Sequence, residues 1–197
     1  MKEVHSWSVR LDVAPDDYSA TLADDERARS ARLRFEHDRR RFIVARGALR
    51  TLLGRYLGIH PAAIRFVYNS YGKPELSPDL SSGLRFNLSH SADLALIAIA
   101  ADAAVGVDVE QIRPQPDAAA IGSLHLNDQA FFRWWTRKEA YVKARGEGLE
   151  LDAASPDPAP PRGWTLHPLH PAPGYVGALA IEGSGWRLRQ WQWEEGL

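Results

Sequence analysis

The sequence predicts an α+β protein made of two similar parts. Residues 38 to 57 and residues 128 to 145 have apolar side chains at helical spacing, and short segments typical of strands follow each of them. This pattern occurs once before and once after about residue 115, although the sequence shows no clear internal repeat. With 197 residues, 45% of them hydrophobic, the chain can form one large domain or two small lobes.

The first predicted helix combines an apolar face with a row of arginines. Its apolar residues recur three, four or seven positions apart, and Gly58 indicates where it ends. Arg39, Arg46 and Arg50 fall on another face, where we expect their guanidinium groups to point outward. A solvated surface and a local anion site both explain this face, and the pattern alone does not decide between them.

The rest of the chain predicts mostly short strands. Between the two helices they lie at residues 64 to 68, 84 to 89, 94 to 101 and 104 to 110, with a turn at residues 69 to 74. The last two are aliphatic and are separated by Asp102, which predicts a hairpin in a buried sheet. A proline-rich segment at residues 152 to 174 predicts a loop or lobe connection. Three further strands are predicted at residues 164 to 169, 175 to 182 and 186 to 193.

Composition and charge exclude several classes of function. The chain has 24 basic and 25 acidic residues, so its net charge gives no reason to expect binding to nucleic acid or to an anionic membrane. It has no cysteine, which excludes disulfides, thiolate metal sites and cysteine nucleophiles. The first ten residues resemble neither a signal peptide nor a membrane anchor, and no later apolar run approaches the length of a membrane span. We therefore expect a cytoplasmic protein.

Two carboxylates lie near the end of the strand predicted at residues 104 to 110. An extended backbone places Asp108 and Glu110 on one face of this strand and Val107 and Val109 on the other. Hard oxygen ligands that converge in this way suit Mg²⁺, which also accepts phosphate oxygens from a substrate. A solvated strand end is the more frequent explanation of so short a pattern, and both interpretations stay open at this point.

A second polar pair lies on the second predicted helix. Glu139 and Lys143 are four positions apart and therefore share one face. A surface ion pair explains this spacing. The alternative makes Glu139 a metal ligand or a general base, with Lys143 neutralising charge on a phosphoryl group.

The turn at residues 71 to 74 and the segment at residues 86 to 91 supply a third group of polar side chains. Lys73, Ser89 and His90 could position a phosphate-bearing ligand. A loop histidine usually has no such role, so this group predicts a site only in combination with the others.

Taken together, four segments resemble those of the 4'-phosphopantetheinyl transferase family. In chain order they are Y-G-K-P at residues 71 to 74, F-N-L-S-H-S at 86 to 91, G-V-D-V-E at 106 to 110 and W-T-R-K-E-A-Y-V-K at 135 to 143. The chain is more similar to the long, monomeric, surfactin-synthetase-activating branch than to the short branch that forms trimers. The motifs cover about residues 27 to 150, and the C-terminal strands resemble the family less distinctively.

The resemblance implies a fold, a reaction and two partners. The fold would be two α+β lobes related by a pseudo-two-fold axis, residues 1 to 104 and 105 to 197, with the ligand cleft between them. The enzyme would use Mg²⁺ to transfer 4'-phosphopantetheine from coenzyme A to a serine of an apo acyl- or peptidyl-carrier protein, releasing 3',5'-adenosine bisphosphate. A monomer is expected, because two lobes of one chain can form the cleft.

The resemblance also assigns roles to individual residues. The metal ligands would be Asp108, Glu110 and Glu139, and the catalytic residues would be Glu139 and Lys143. Coenzyme A would be bound by Arg41, Lys73, Ser89, His90 and Lys143, with Arg27 and Arg29 as further candidates for its 3'-phosphate.

One departure from the family concerns the carrier protein. Only 24 residues separate Glu110 from Trp135, where longer relatives have an additional segment that helps to contact the carrier. Two alternatives therefore stay open. One is a coenzyme A binding protein without transferase activity, and the other is a metal-dependent phosphohydrolase that uses the same acidic residues.

Overall fold

The computed structural model describes residues 2 to 80, 82 to 114, 128 to 146 and 160 to 194. These residues form a mixed α+β fold, which confirms the predicted class. In chain order the elements are β1 (Lys2–Arg10), α1 (Asp16–Ser19), α2 (Asp24–Ala31), α3 (Glu36–Leu57), β2 (Phe66–Tyr68), β3 (Pro74–Leu76), β4 (Leu84–Ser91), β5 (Leu94–Ala101), β6 (Val105–Gln111), α4 (Asp128–Arg145), β7 (Trp164–Leu169), β8 (Tyr175–Glu182) and β9 (Trp186–Gln192). None of these helices is long and apolar enough to cross a membrane.

A four-stranded sheet with the strand order β4-β5-β1-β9 forms one layer of the fold. Its strand β1 runs antiparallel to β5, with Val4 opposite Ala100, and parallel to β9, with Val4 opposite Leu188. Helix α3 covers one face of this sheet because its apolar side chains recur at helical spacing. The cluster between α3 and the sheet includes Leu49, Leu52, Leu53, Ile97 and Ile99.

A second sheet, with the order β6-β8-β7, packs against the other face of β5. Successive side chains of a strand point to opposite faces, so Ile97 packs toward α3 while Leu96 packs with Val107 of β6. This double burial explains why β5 is an almost continuous aliphatic run. Helix α4 covers the outer face of the second sheet, where Ala140 packs with Ala178 of β8.

The predicted hairpin between residues 94 to 101 and residues 104 to 110 is wrong. Strand β5 pairs with β4 along one edge and with β1 along the other, so its backbone hydrogen bonds are satisfied without β6. Strand β6 instead pairs antiparallel with β8, with Asp108 opposite Ala178. The short link after β5, where Asp102 has a φ of 53°, takes the chain from one sheet to the next.

The expectation that the α3 guanidinium groups point outward is wrong for two of the three arginines. Arg46 and Arg50 are 6% and 1% exposed, and both contact Glu26 of α2, which is 2% exposed. Arg50 Nε donates to Glu26 Oε2 at 2.6 Å, and Arg46 Nε lies 3.1 Å from Glu26 Oε1. The buried carboxylate supplies the charge that the two guanidinium groups need, and the network joins α2 to α3.

The last strand returns to the start of the chain. Strand β9 pairs with β1 in the first sheet, although the predicted boundary between residues 104 and 105 assigns it to the second lobe. The division into two lobes and their pseudo-two-fold relation stay predictions.

Candidate active site

Polar side chains of β4 reach across to β6 and join the two sheets. Asn87 Oδ1 accepts a hydrogen bond from the β6 backbone at 2.8 Å. Ser89 Oγ donates to Asp108 Oδ1 at 2.7 Å, and Ser91 Oγ donates to Glu110 Oε2 at 2.7 Å. Residues 87, 89 and 91 share one face because side chains alternate along a strand. The same face of β4 therefore holds β6 in place and orients both of its carboxylates.

Asp108 is the most buried of the predicted site residues, with 2% of its surface exposed. Its Oδ1 accepts hydrogen bonds from Ser89 Oγ and from Lys143 Nζ, the latter at 2.5 Å. Lys143 Nζ also lies 3.0 Å from Ser89 Oγ. Burial raises the pKa of Asp108, and the charge of Lys143 opposes this shift. The partly exposed lysine of α4 and the buried aspartate of β6 thus form an ion pair.

The carboxylate of Glu139 in α4 is influenced by the charges of the two carboxylates of β6. Burial raises the pKa of Glu139; Lys143 opposes this shift, and the negative charges of Asp108 and Glu110 add to it. Burial also raises the pKa of Glu110, where the Ser91 hydrogen bond opposes the shift and the charge of Asp108 adds to it. Negative charge thus accumulates at this site. The charge of Lys143 lowers the pKa of all three carboxyl groups, and that of Arg113 also lowers the pKa of Glu110.

This cluster has the donor chemistry of a cation site. In the part of the chain that the structure describes, no three or more acidic or histidine side chains are arranged as a ready metal site. Asp108 Oδ2 and Glu139 Oε1 are nevertheless buried and have no hydrogen-bond partner. Unpartnered carboxylate oxygens suit a hard cation such as Mg²⁺, so the residues present fit the predicted metal.

The ammonium group of Lys73 binds backbone carbonyls. Its Nζ lies 2.6 Å from Lys143 O, 3.1 Å from Ala144 O and 3.3 Å from Val105 O. Two of these carbonyls belong to the last turn of α4, and the third belongs to the first residue of β6. Burial lowers the pKa of Lys73. This residue, predicted to contact coenzyme A, therefore lies at the junction of α4 and β6.

Arg41 forms a hydrogen-bonded ion pair with an aspartate of the β4–β5 turn. Its Nε and one terminal nitrogen lie 3.0 and 2.8 Å from Asp93 Oδ1. Arg41 also acts on His90: desolvation, followed by the positive charges of Lys143 and Arg41, lowers the pKa of His90, although part of this side chain stays exposed. The charges of the predicted phosphate-binding arginine and of Lys143 thus both act on the histidine of the same predicted site.

A cavity of about 200 Å³ lies beside His90. Arg29 and Arg46 supply its further basic side chains, and Phe42 and Leu88 supply apolar surface. Basic side chains around a small concave pocket favour an anionic group. Arg29, one of the two further candidates for the 3'-phosphate, therefore lines this cavity, whereas Arg27 is hydrogen-bonded to Asp24 at 2.7 Å.

Five of the eight predicted site residues form one connected group, and Arg41, His90 and Lys73 lie outside it. Asp108, Glu110, Glu139, Lys143 and Ser89 are linked by hydrogen bonds or by their charges, and the charges of Arg41 and Lys143 affect His90, whereas Lys73 lies at the end of α4.

Sequence reasoning missed the roles of Asn87, Ser91 and Asp93. The strand-like alternation of F-N-L-S-H-S could have indicated Asn87 and Ser91, because they share a face with Ser89. No sequence signal links Asp93 to Arg41, which is 52 residues away.

Family models match both halves of the chain. Residues 15–102 match the model described as 4'-phosphopantetheinyl transferase, N-terminal, and residues 104–176 match the model of the 4'-phosphopantetheinyl transferase superfamily. The two matches meet within two residues of the start of β6. The carboxylate cluster lies within the second match.

Known proteins with similar sequences have the same description. The chain is 38% identical to 4'-phosphopantetheinyl transferase HetI of Nostoc sp., over 97% of this chain and 92% of that protein. It is 31% identical to a phosphopantetheinyl transferase of Thraustochytrium sp., over 74% and 62% of the two chains. It is 26% identical to a 4'-phosphopantetheinyl transferase of Bacillus subtilis, over 69% and 65%. The relative that is 38% identical covers nearly the whole chain, and family models match both of its halves. The chain therefore belongs to the 4'-phosphopantetheinyl transferase superfamily.

Proposed function

We propose that this chain transfers the 4'-phosphopantetheine arm of coenzyme A to a serine of an apo acyl- or peptidyl-carrier protein. The serine oxygen forms a bond to the β-phosphorus of coenzyme A while the pyrophosphate bond breaks, and 3',5'-adenosine bisphosphate leaves with the bridging oxygen. The observation that supports this reaction most strongly is the pairing of Lys143 with Asp108 beside Glu110 and Glu139. This arrangement combines an ammonium group that can stabilise phosphate with carboxylates that can bind a metal ion and accept a proton.

The carboxylates have two roles in this proposal. Mg²⁺, when bound by Asp108, Glu110 and Glu139, would neutralise charge on the pyrophosphate. The unpartnered oxygens Asp108 Oδ2 and Glu139 Oε1 support this ligand set. Glu139 also accepts the serine proton, directly or through water.

The basic residues bind the phosphates of coenzyme A in this proposal. Lys143 stabilises negative charge on the departing phosphate, while Ser89 and His90 contact the pyrophosphate region. Arg41 binds a phosphate in competition with Asp93, which holds its guanidinium group in the absence of ligand. The basic side chains around the cavity beside His90 are consistent with binding of another anionic part of coenzyme A there.

The proposal includes a monomer that acts in the cytoplasm on carrier proteins. Ser89 comes from β4, Asp108 and Glu110 come from β6, and Glu139 and Lys143 come from α4. A single chain thus supplies every residue of the carboxylate cluster. A net charge of −1 gives no reason to expect nucleic acid or an anionic membrane as a partner.

The fate of coenzyme A tests this function against its alternatives. Purified protein is incubated with coenzyme A and Mg²⁺, with and without several apo-carriers, and the nucleotide products are separated by chromatography. A transferase releases 3',5'-adenosine bisphosphate only when an apo-carrier is present. Release without a carrier would indicate a phosphohydrolase, and binding of coenzyme A without any release would indicate a silent binding protein.

A further inference from the structure

The turn between β2 and β3 contacts the C-terminal end of α4. Asn69 Nδ2 donates a hydrogen bond to Gly146 O at 2.8 Å, and Lys73 Nζ contacts Lys143 O and Ala144 O. We refer to Asn69 and Lys73 as the α4 clamp. The turn itself is fixed, because Asn69 Oδ1 accepts the backbone N–H groups of Tyr71 and Lys73 at 2.9 and 3.0 Å.

The clamp satisfies groups that every helix leaves unpaired. The last carbonyls of a helix have no partner within the helix, and they form the negative end of its dipole. A partly buried ammonium group at this end is screened less than an exposed one. An ammonium group has three N–H donors, and Lys73 has three carbonyls within 3.3 Å. Its hydrogen-bonding capacity is therefore used within the protein.

The residues held by the clamp include a member of the proposed active site. Lys73 binds the carbonyl of Lys143, while the side chain of Lys143 donates to Asp108. Glu139 lies one helical turn earlier. In β6, Gly106 allows close contact with α4, since a Cβ atom there would lie 2.1 Å from Ala140 O. A shift of the last helical turn would therefore move Lys143 relative to Asp108.

We propose that Lys73 is a positioning residue: it holds α4 so that Lys143 and Glu139 meet the carboxylates of β6, and its side chain does not bind coenzyme A. The inference rests on the proposed transferase function. It assigns Lys73 an effect on the rate of transfer and on the stability of one helix end. A ligand of coenzyme A would affect chiefly the affinity for that substrate.

The test compares Lys73→Met with Lys2→Met, which removes an exposed lysine of β1 far from α4 in sequence. In steady-state transfer, Lys73→Met should lower kcat about 10- to 100-fold, because misplacement of about 1 Å has effects of this size. KM for coenzyme A should change by a smaller factor than kcat. In the free protein, the amides of residues 139 to 146 should exchange hydrogen faster. Lys73→Arg, which keeps the charge, should restore part of both properties, and Lys2→Met should match wild type.

Each opposite outcome contradicts one specific claim. A raised KM for coenzyme A with unchanged kcat and unchanged exchange in Lys73→Met would show that Lys73 binds the ligand. If Lys73→Met does not fold, Asn69→Ala, which removes the bond to Gly146 O together with the two that fix the turn, is judged by the same two measurements. Hydrogen exchange needs no substrate, so inactivity of the wild type would contradict the proposed function, whereas normal exchange in the clamp variants would contradict the clamp.

Discussion

The ammonium group of Lys143 lies 2.5 Å from Oδ1 of Asp108, although the two residues come from different elements. One oxygen of Asp108 is therefore balanced by a fixed positive charge. The other oxygen and Oε1 of Glu139 are buried without hydrogen-bond partners. A buried carboxylate oxygen without a partner destabilises the folded state. We infer that this cluster serves ligand binding rather than folding.

Asp108→Asn should abolish transfer and leave the fold intact. The amide keeps the size of the carboxylate but carries no charge to pair with Lys143 or a metal. We expect kcat/KM to fall at least about 100-fold. The melting temperature should change little, because a neutral amide is less costly to bury than a carboxylate and Lys143, which loses its partner, has access to solvent. Transfer assays and calorimetry measure the two effects.

Asp102→Asn is the matched control for this variant. Asp102 is exposed in the link after β5, and asparagine tolerates its φ of 53°. This variant should keep the wild-type rate. A wild-type rate in Asp108→Asn would remove Asp108 from the site.

His90 should titrate below the usual range of a histidine in the free protein. Desolvation and the charges of Lys143 and Arg41 lower the pKa of His90 below 6.5. Between its folded pKa and 6.5 the unfolded chain binds more protons at this position, so stability is lost as the pH falls through this window. His90→Gln should lose less stability there. NMR titration of the imidazole, assigned with His90→Gln, measures the pKa, and a value at or above 6.5 would contradict the account.

Gly106→Ala should weaken the packing of α4 on β6. A Cβ atom at this position would lie 2.1 Å from Ala140 O and 2.3 Å from Ala144 N, both of which are backbone atoms. The helix would have to shift, and overpacking of this kind costs about 1–3 kcal/mol. Transfer should fall with it, because Glu139 and Lys143 move with the helix. Urea unfolding measures the stability, and an unchanged unfolding midpoint would contradict close contact between the two elements.

Arg41→Met should weaken binding of coenzyme A about tenfold or more, which is typical for the loss of a charged hydrogen-bonding partner. Asp93→Asn should not weaken binding, because it frees the guanidinium group. Both variants should keep melting temperatures close to that of wild type, since a partly exposed ion pair contributes little stability. Calorimetric titration of the free protein with coenzyme A measures the affinity. Equal affinity of Arg41→Met and wild type would exclude Arg41 from the ligand site.

Much of the fold follows from local patterns in the sequence. The bounds of the predicted helices and strands differ from the structure by at most two residues, because their apolar spacing and turn residues are local signals. The alternation of Asp108 and Glu110 with Val107 and Val109 is also local, and both valines are buried. The resemblance to a known family then supplied the link between these carboxylates and α4.

Contacts between distant parts of the chain could not be predicted in the same way. The face of α3 with Arg46 and Arg50 has the spacing of a solvated surface. Their burial depends on partners outside α3, namely Glu26 for both, the carbonyl of Ile64 for Arg50 and the hydroxyl of Tyr68 for Arg46. The pairing of β5 depends on β1, whose mixture of charged and aromatic residues gives a weak strand signal. Lys73 likewise has a role that depends on carbonyls about 70 residues away.

The most direct test of the central claim is the intact mass of an apo-carrier after incubation with the wild-type enzyme and coenzyme A. Parallel samples contain Mg²⁺ or a chelator, and a carrier whose acceptor serine is replaced by alanine serves as the control. The account predicts that the mass of one phosphopantetheinyl group is added only to the serine-containing carrier and only with Mg²⁺. No mass increase on any of several carriers, or an equal increase in the chelator, would contradict it.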